Sequence, residues 1–277
     1  MKIQSIINQK NIRFINNSFE GQSFCRVADR LNENIVVDHS SVNFTGANAY
    51  GGKEFLKIMQ KADNYNNFII KTLLNSLQDK NKKVLDFGSG SGHFAELLRA
   101  KGVKDLTCVE IDKEFCERSR KLGFKVFEDL NEIDDSGYDF IYSLNVLEHI
   151  EEDKKSLLLL KNKLNKNGKL LIYVPAFPSL YSSFDKQIGH LRRYRKEDLV
   201  DFLQENDFKV LNAKYTDSIG FLLAHLYKHL SKNQGIINSL QVRIFDKLLF
   251  PIGKVFDKVT KGTLFGKNLI IEAQSRS

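Results

Sequence analysis

The stretch VLDFGSGSGHF, residues 84–94, places three glycines within five positions directly after an apolar run. Glycine loses more conformational entropy on folding than other residues, so such a cluster is typical of a tight turn or of close approach to a ligand. The preceding residues, KKVLDF, have the composition of a buried strand, and HFAELLRAKG has the period of a helix that ends at Gly102. The stretch is therefore interpreted as a strand, a glycine turn and a helix.

Strand-like and helix-like segments alternate at short spacing from residue 82 to about residue 216. Further strands are expected in DLTCVEID, KVFED, YDFIYSLN, KLLIYVP and FKVLNAKY, and helices in KEFCERSRKLG, EEDKKSLLLLKNKLNKNG and KEDLVDFLQEND. This alternation predicts parallel strands with helices on both faces, and near-continuous apolar strands fit burial on both sides. The predicted fold class is α/β with a Rossmann-like sheet.

Composition limits the class of protein. The 277-residue chain is 42% apolar, enough for a sizeable core within one enlarged α/β domain. Its three cysteines have no metal-like or redox spacing, which favours a reduced, cytoplasmic setting. The N-terminal MKIQSIINQK has no uninterrupted apolar run, and no segment approaches the roughly 18 apolar residues of a membrane span. Neither a signal peptide nor a membrane span is expected.

The net charge of +8 is concentrated near the C-terminus, with nine Lys or Arg against three Asp or Glu from Ile219 onward. A basic surface attracts phosphate, nucleic acid or anionic lipid; the alternative is a Lys- and Asn-rich compositional bias. Within residues 237–259, apolar side chains recur every three or four positions, which predicts an amphipathic helix with a kink at Pro251.

The glycine turn exposes backbone N–H groups beside the positive end of the following helix. A dinucleotide-binding turn has the pattern G-x-G-x-x-G; Gly88 and Gly90 fit it, but His93 occupies the third position and Gly92 comes one residue early. The pattern is D-x-G-x-G-x-G, with Asp86 leading it. An NAD-type oxidoreductase is therefore disfavoured and stays as an alternative.

This turn resembles the S-adenosylmethionine turn of class I methyltransferases, in particular the bacterial type 11/12/23-like subgroup. Three further landmarks follow the order of that family: Glu110, 20 residues after Gly90, ends the second strand; Asp129 follows the third; and SLNVLEHI follows the fourth. The resemblance implies a seven-stranded, mostly parallel sheet whose last strand is antiparallel. It also implies S-adenosyl-L-methionine as the cofactor.

The resemblance assigns roles to individual residues. Glu110 would accept both ribose hydroxyls. Asp129 would accept from the adenine amino group, with Glu128 as the competing acid and Leu130 against the ring. Asp86 would brace the turn and, as a second role, reach the amino group of the cofactor's tail. The simpler roles are a tight turn for the glycines, a surface acid for Glu110 and a helix cap for Asp129. The predicted cofactor-binding residues are Asp86, Gly88, Ser89, Gly90, Gly92, Glu110, Ile111, Asp129, Leu130 and Asn145.

The acceptor side is predicted in VPAFPSLYSSFDKQIGHLRRYRKEDL, residues 174–199, because the carboxyl end of a parallel strand faces the ligand crevice. Its D-x3-G-H-x-R-R-Y pattern resembles a bacterial methyltransferase subgroup of broad substrate range. His190 is the predicted general base or acceptor-orienting group, and Arg193 and Tyr194 would hold an anionic or hydroxylated acceptor. Asp185 completes the predicted catalytic set. The alternative is that Asp185 pairs with an arginine and His190 caps the next helix.

The stretch VLEHIEED resembles part of a motif in ubiquinone-biosynthesis O-methyltransferases, in which a Glu-x-x-Glu-His set binds a divalent metal. Here Asn145 replaces the first Glu, which leaves Glu148 and His149. Two ligands make a poor metal site. The sequence therefore predicts no metal.

Four segments are expected: an N-terminal extension with a cap helix over 1–78, the Rossmann-like core over 79–216, an amphipathic helical insertion over 217–266, and the final antiparallel strand over 267–277. Three roles stay open for the insertion, namely a lid over the acceptor pocket, a peripheral contact with the inner face of a membrane, or a dimer interface. The chain is expected to be a monomer or a homodimer.

The predicted function is methyl transfer from S-adenosylmethionine to oxygen or nitrogen of a small-molecule, glycan-precursor or lipid-linked acceptor. Such a transfer depends mainly on positioning, and a base is needed only where the acceptor must lose a proton. The alternatives are a non-catalytic basic binding module and the oxidoreductase. Nucleic acid is disfavoured as a partner because the sequence has no aromatic-plus-basic RNA motif.

Overall fold

The apolar segments of the sequence form one seven-stranded sheet in the computed structural model, which describes residues 49–133, 137–230 and 238–276. The strands are Lys83–Phe87 (β1), Asp105–Val109 (β2), Lys125–Phe127 (β3), Tyr138–Leu144 (β4), Leu164–Pro175 (β5), Phe208–Thr216 (β6) and Asn268–Ser275 (β7). Their order is β3-β2-β1-β4-β5-β7-β6. β1 to β5 pair in parallel, and β7 is antiparallel to both β5 and β6. The predicted α/β fold with a mostly parallel sheet is confirmed.

Helices cover both faces of this sheet. They are Ala49–Met59 (α1), Asp63–Leu77 (α2), His93–Ala100 (α3), Lys113–Lys121 (α4), Asp153–Lys163 (α5), Ser183–Gln187 (α6), Lys196–Glu205 (α7), Ser218–Leu230 (α8), Ser239–Ile244 (α9) and Phe250–Val259 (α10), with a π-helical segment, Phe245–Leu249, between α9 and α10. Successive residues of a strand pack on opposite faces of the sheet. Val84 packs in the core formed with α2 and α3, and Leu85 packs in the core formed with α5 and α7. This explains why the strands lack a polar face.

One predicted helix was too long. The segment EEDKKSLLLLKNKLNKNG was expected to be helical throughout, but the helix ends at Lys163 and LNKNG already belongs to β5. Asn167 has a φ of 63°, and a Cβ on Gly168 would lie 2.8 Å from the carbonyl oxygen of Asn165. The chain therefore bends tightly at the Asn-Gly pair, inside the strand rather than at a helix end.

The segments outside the core also differ from expectation in detail. The single cap helix expected within residues 1–78 is instead two helices, α1 and α2, separated at Ala62. The break in the insertion is the π-helical segment, which precedes Pro251 at the start of α10. Residues 1–48 of the predicted extension lie outside the described part of the chain. Within that part, no helix combines the length and apolar character that crossing a membrane requires.

Candidate active site

The glycine turn joins β1 to α3 with three left-handed residues. Gly88, Gly90 and Gly92 have φ angles of 76°, 53° and 74°. A Cβ on Gly88 would lie 2.3 Å from Val146 Cγ2, whereas a Cβ on Gly90 would meet only Leu56 Cδ1, at 3.8 Å. The turn thus packs tightly against the segment after β4 and is open at Gly90. The open side leaves space in which a ligand can approach the backbone.

Glu110, at the tip of β2, faces this turn. Its Oε2 accepts from the Gly90 amide at 2.6 Å and its Oε1 from the Asp112 amide at 2.8 Å. Burial raises the pKa of Glu110, and the backbone amides of Asp112, Gly90 and Ile111 act in the opposite direction. Because a carboxylate has about four acceptor positions, Glu110 retains acceptor capacity for the hydroxyls of a ribose.

Asp86 lies below the turn, near the end of β1. Its carboxyl is 3% exposed and accepts from the Tyr142 hydroxyl at 2.8 Å, which ties β1 to β4. Burial raises the pKa of Asp86 to about 7, and the nearby charge of Glu110 adds to this shift. The residue braces the turn, which is the first of the two roles expected for it.

The acidic residues after β3 have protein partners. Asp129 caps the short helix Leu130–Glu132 and accepts from the Asn131 amide at 2.8 Å, so the alternative role as a helix cap is realised. Glu128 pairs with Arg120 at 3.2 Å. On the loop after β2, Ile111 is 42% exposed, and an exposed apolar side chain beside the turn is suited to pack on a ligand ring.

Helix α1 spans the cofactor turn and the segment after β5. Lys53 pairs with Asp112 at 2.8 Å, on the loop after β2. Leu56 lies over Gly90, and the Phe55 ring packs edge-on against Phe184, in α6, with 5.3 Å between ring centroids. The sequence predicted a cap helix here but not its contacts. Helix α1 therefore covers both the glycine turn and the acceptor-side segment after β5.

Asp185 organises the acceptor-side segment. Its fully buried carboxylate accepts from His190 Nδ1 at 2.8 Å, from Arg193 Nε at 2.9 Å and from the Ser182 amide at 2.9 Å. Burial alone would raise the pKa of Asp185, but the His190 hydrogen bond and the Arg193 charge lower it to about 2. The alternative pairing of Asp185 with an arginine is present together with the pairing to His190.

Tyr194 points away from this pair toward α5. Its hydroxyl donates to Asp153 Oδ2 at 2.8 Å, and Arg192 Nη1 donates to the other oxygen of Asp153 at 2.8 Å. Tyr194 is 8% exposed, and burial raises the pKa of its hydroxyl. Its hydroxyl joins the segment after β5 to α5.

The structure brings together three residues that the sequence did not connect. Glu148 Oε1 lies 3.6 Å from His190 Nε2, and the rings of His149 and His190 pack edge-on at 4.8 Å. Glu148 is fully buried, and burial raises its pKa to about 7. Sequence reasoning identified Glu148 and His149 as one pair and His190 as part of another motif. Nothing in the spacing of the two motifs signals that they meet.

Comparison with known proteins decides the family. Residues 59–213, which contain the turn, Glu110 and the Asp185–His190 pair, match the model of a family described as a methyltransferase domain. The chain belongs to this methyltransferase family. Family membership makes S-adenosylmethionine its cofactor, and the open turn with Glu110 opposite Gly90 fits that molecule. None of the curated proteins matches the methyltransferase significantly.

Solved structures share the fold. A SAM-dependent methyltransferase from Archaeoglobus fulgidus is 17% identical, with a TM-score of 0.50 over 76% of this methyltransferase and 94% of that chain. Magnesium protoporphyrin IX methyltransferase from Synechocystis PCC 6803 with bound SAH is 14% identical, with a TM-score of 0.50 over 79% and 84%. A cyclase is 16% identical, with a TM-score of 0.50 over 75% and 80%. These likenesses support the class I fold and leave the acceptor open.

Proposed function

We propose that this methyltransferase transfers the methyl group of S-adenosylmethionine to an oxygen or nitrogen of an acceptor bound beside the carboxyl ends of β4 and β5. The supporting observation is that α1 contacts both the glycine turn and α6. S-adenosylmethionine supplies a methyl group on a sulfonium, which is already a good leaving group. The chain therefore has to position two molecules and exclude water.

The predicted cofactor residues divide this task. Glu110 would hold the ribose, and the backbone of Gly88, Ser89, Gly90 and Gly92 would line the turn. Asp129, Leu130 and Ile111 would lie at the adenine end, and Asp86 and Asn145 toward the methionine tail. Asn145, at the end of β4, has a left-handed backbone with a φ of 53°. Such unusual conformations of residues other than glycine are typical of ligand-binding sites, which supports its place in the proposed site.

His190 would act on the acceptor, either by taking its proton or by holding it in line. Its Nδ1 donates to Asp185, which fixes the tautomer and places the lone pair of a neutral ring on Nε2. Arg193 and Tyr194 would act through the carboxylates of Asp185 and Asp153, as positioning residues.

Replacing His190 with alanine tests this role. We expect methyl transfer from labelled S-adenosylmethionine into the acceptor pool of a source-cell extract to fall by about 100-fold or more. Binding of S-adenosylhomocysteine should stay within about twofold, because His190 contacts neither the turn nor Glu110. Unchanged transfer would remove His190 from the mechanism, and a nicotinamide absorbance change without methyl transfer would favour the oxidoreductase.

The insertion between β6 and β7 carries an exposed apolar stripe. Its residues recur every three or four positions along α9, the π-helical segment and α10 and are 47–77% exposed: Leu240, Ile244, Leu248, Ile252, Val255 and Val259. Leu222, Leu223 and Leu226 of α8 are also exposed. A large exposed apolar surface is typical of a site that binds another protein, a ligand or a membrane.

The acidic residues of the insertion face inward. Asp217, Asp246 and Asp257 are at most 7% exposed. Asp246 accepts from the Asn64 and Tyr65 amides, at 3.0 and 2.8 Å, and so ties the insertion to the start of α2. The outward charge of the described part of the insertion is therefore positive.

We propose that this stripe docks on an anionic membrane surface and that the acceptor is lipid-linked. Arg243, Lys247 and Lys258 are exposed beside the stripe. Basic residues near an anionic bilayer contribute about 1 kcal/mol each, and exposed apolar side chains of an interfacial helix enter the headgroup region. An anionic lipid surface complements both the apolar stripe and the positive charge beside it. A second copy of the same face would bring like charges together.

Vesicle flotation of the full chain tests the docking surface. We expect flotation with vesicles containing phosphatidylglycerol, weaker flotation in high salt, and none with phosphatidylcholine alone. Replacing Leu248 and Ile252 with Glu should abolish flotation, whereas Glu at Leu158 and Leu211, exposed apolar residues elsewhere, should not. Equal flotation of both variants, or a dimer that only the first variant dissociates, would contradict the proposal.

A further inference from the structure

Glu148 is a buried carboxylate whose oxygens lack ordinary partners. It is 0% exposed, and neither Oε1 nor Oε2 has a hydrogen-bond partner among the described residues. His190 Nε2 lies 3.6 Å from Glu148 Oε1, within ion-pair distance but beyond hydrogen-bond range. A buried carboxylate without hydrogen bonds is costly, and a bound cation would offset that cost.

Both neighbouring imidazoles are held through their Nδ1 atoms. His149 Nδ1 lies 3.0 Å from the Gly189 carbonyl oxygen, and His190 Nδ1 lies 2.8 Å from Asp185 Oδ1. Because a carbonyl or carboxylate oxygen only accepts, each Nδ1 carries the proton and Nε2 carries the lone pair of the neutral ring. Histidine ligands of metal ions are oriented in the same way, through a carbonyl or carboxylate on the other nitrogen.

The potential ligand atoms of Glu148, His149 and His190 all lie within 4.8 Å of one another. Around a tetrahedral ion with ligand distances of about 2.1 Å, neighbouring ligands are about 3.4 Å apart. Side-chain movements of about 1 Å would close that difference. The three residues come from the segments after β4 and β5, whose backbones are joined by a 2.8 Å hydrogen bond from Leu191 N to Glu148 O.

We propose that Glu148, His149 and His190 bind one divalent transition-metal ion. Two imidazoles and one carboxylate suit zinc, manganese or ferrous iron, and three protein ligands leave a position open for water or a ligand oxygen. This revises the expectation of no metal, because His190 supplies a third ligand beside Glu148 and His149. Metal binding does not depend on the proposed function, whereas a role for the ion in orienting or deprotonating the acceptor does. With the ion bound, the Nε2 lone pair of His190 is used for coordination, so the ion, through its open position, takes the place of the ring in acting on the acceptor.

Metal titration of the full chain, purified with a chelator and then dialysed, tests the site. Calorimetry with Zn²⁺ and Mn²⁺ should show one equivalent bound, and Co²⁺ should give a visible ligand-field spectrum. Glu148→Gln and His149→Ala should each weaken binding by about 100-fold or more, and Asp185→Asn by about 10- to 100-fold. The exposed neighbour Glu152→Gln should bind like the unmodified chain.

Binding of S-adenosylhomocysteine by each variant separates this proposal from the proposed function. Retained cofactor binding shows that a variant has folded, so a loss of metal in that variant reports on the ligand itself. Absence of a one-equivalent event, or equal affinity in Glu148→Gln, would overturn the metal site. A metal-independent rise in stability of Glu148→Gln together with no metal binding would identify Glu148 as an unpaired buried acid only.

Discussion

Glu110→Ala is expected to weaken the binding of S-adenosylhomocysteine by about 100-fold or more. Hydrogen bonds to a charged group contribute about 1.5–3 kcal/mol each, and the proposed contact has two, while every 1.4 kcal/mol is a factor of ten in affinity. The variant also loses the acceptor for the Gly90 amide, which Glu110 holds at 2.6 Å. Calorimetry with S-adenosylhomocysteine measures the effect.

Two further variants make this result interpretable. Glu117→Ala removes an exposed carboxylate from the neighbouring helix α4 and should leave the affinity unchanged. Glu110→Gln keeps the shape of the side chain, and because its amide oxygen still accepts, it should show an intermediate loss. If Glu110→Ala bound as tightly as the unmodified chain, the cofactor site would have to lie elsewhere.

Asp185→Ala is expected to cause the largest loss of stability. It leaves the Arg193 side chain, 6% exposed, without the carboxylate that its Nε contacts at 2.9 Å. Breaking a buried ion pair by removing one partner costs about 3–5 kcal/mol, which in a chain of this size lowers Tm by roughly 10 °C. Calorimetric or spectroscopic melting measures the change.

The matched control for this loss is Glu197→Ala. The Glu197 side chain is 67% exposed, and its ion pair with Lys196 is long, at 3.8 Å. An exposed pair of this kind contributes little, so removing it should change the free energy of unfolding by less than about 0.5 kcal/mol. An Asp185→Ala chain with the Tm of the control would show that Arg193 finds another partner. Asp185 would then be retained for its contact with His190 rather than for stability.

The strands and the glycine turn could be predicted from the sequence because each is encoded by consecutive residues. Residues 84–94 hold the whole β1–turn–α3 unit, so their apolar run and glycine spacing were sufficient. The helix predicted through NKNG was wrong because the apolar period continues past Lys163, while pairing of Leu164 with Tyr138 draws the next residues into β5. Propensity is local and strand pairing is not.

The candidate site divides in the same way. A set of candidate cofactor residues could be named from the sequence and stays a prediction, but the sequence did not show that Glu110 bonds to two backbone amides or that Tyr194 donates to Asp153, 41 residues away. The contacts of α1 with the turn and with Phe184 were also inaccessible. Each depends on which side chains meet at the carboxyl edge of the sheet.

By itself, the sequence determined the fold class and the glycine turn, because both are encoded by local spacing of apolar residues and glycines. Only the tertiary structure decided that His190 lies 3.6 Å from Glu148 and beside His149. The two motifs are about 40 residues apart, and β5 separates them along the chain. They meet because β4 and β5 are adjacent parallel strands that end at the same edge of the sheet.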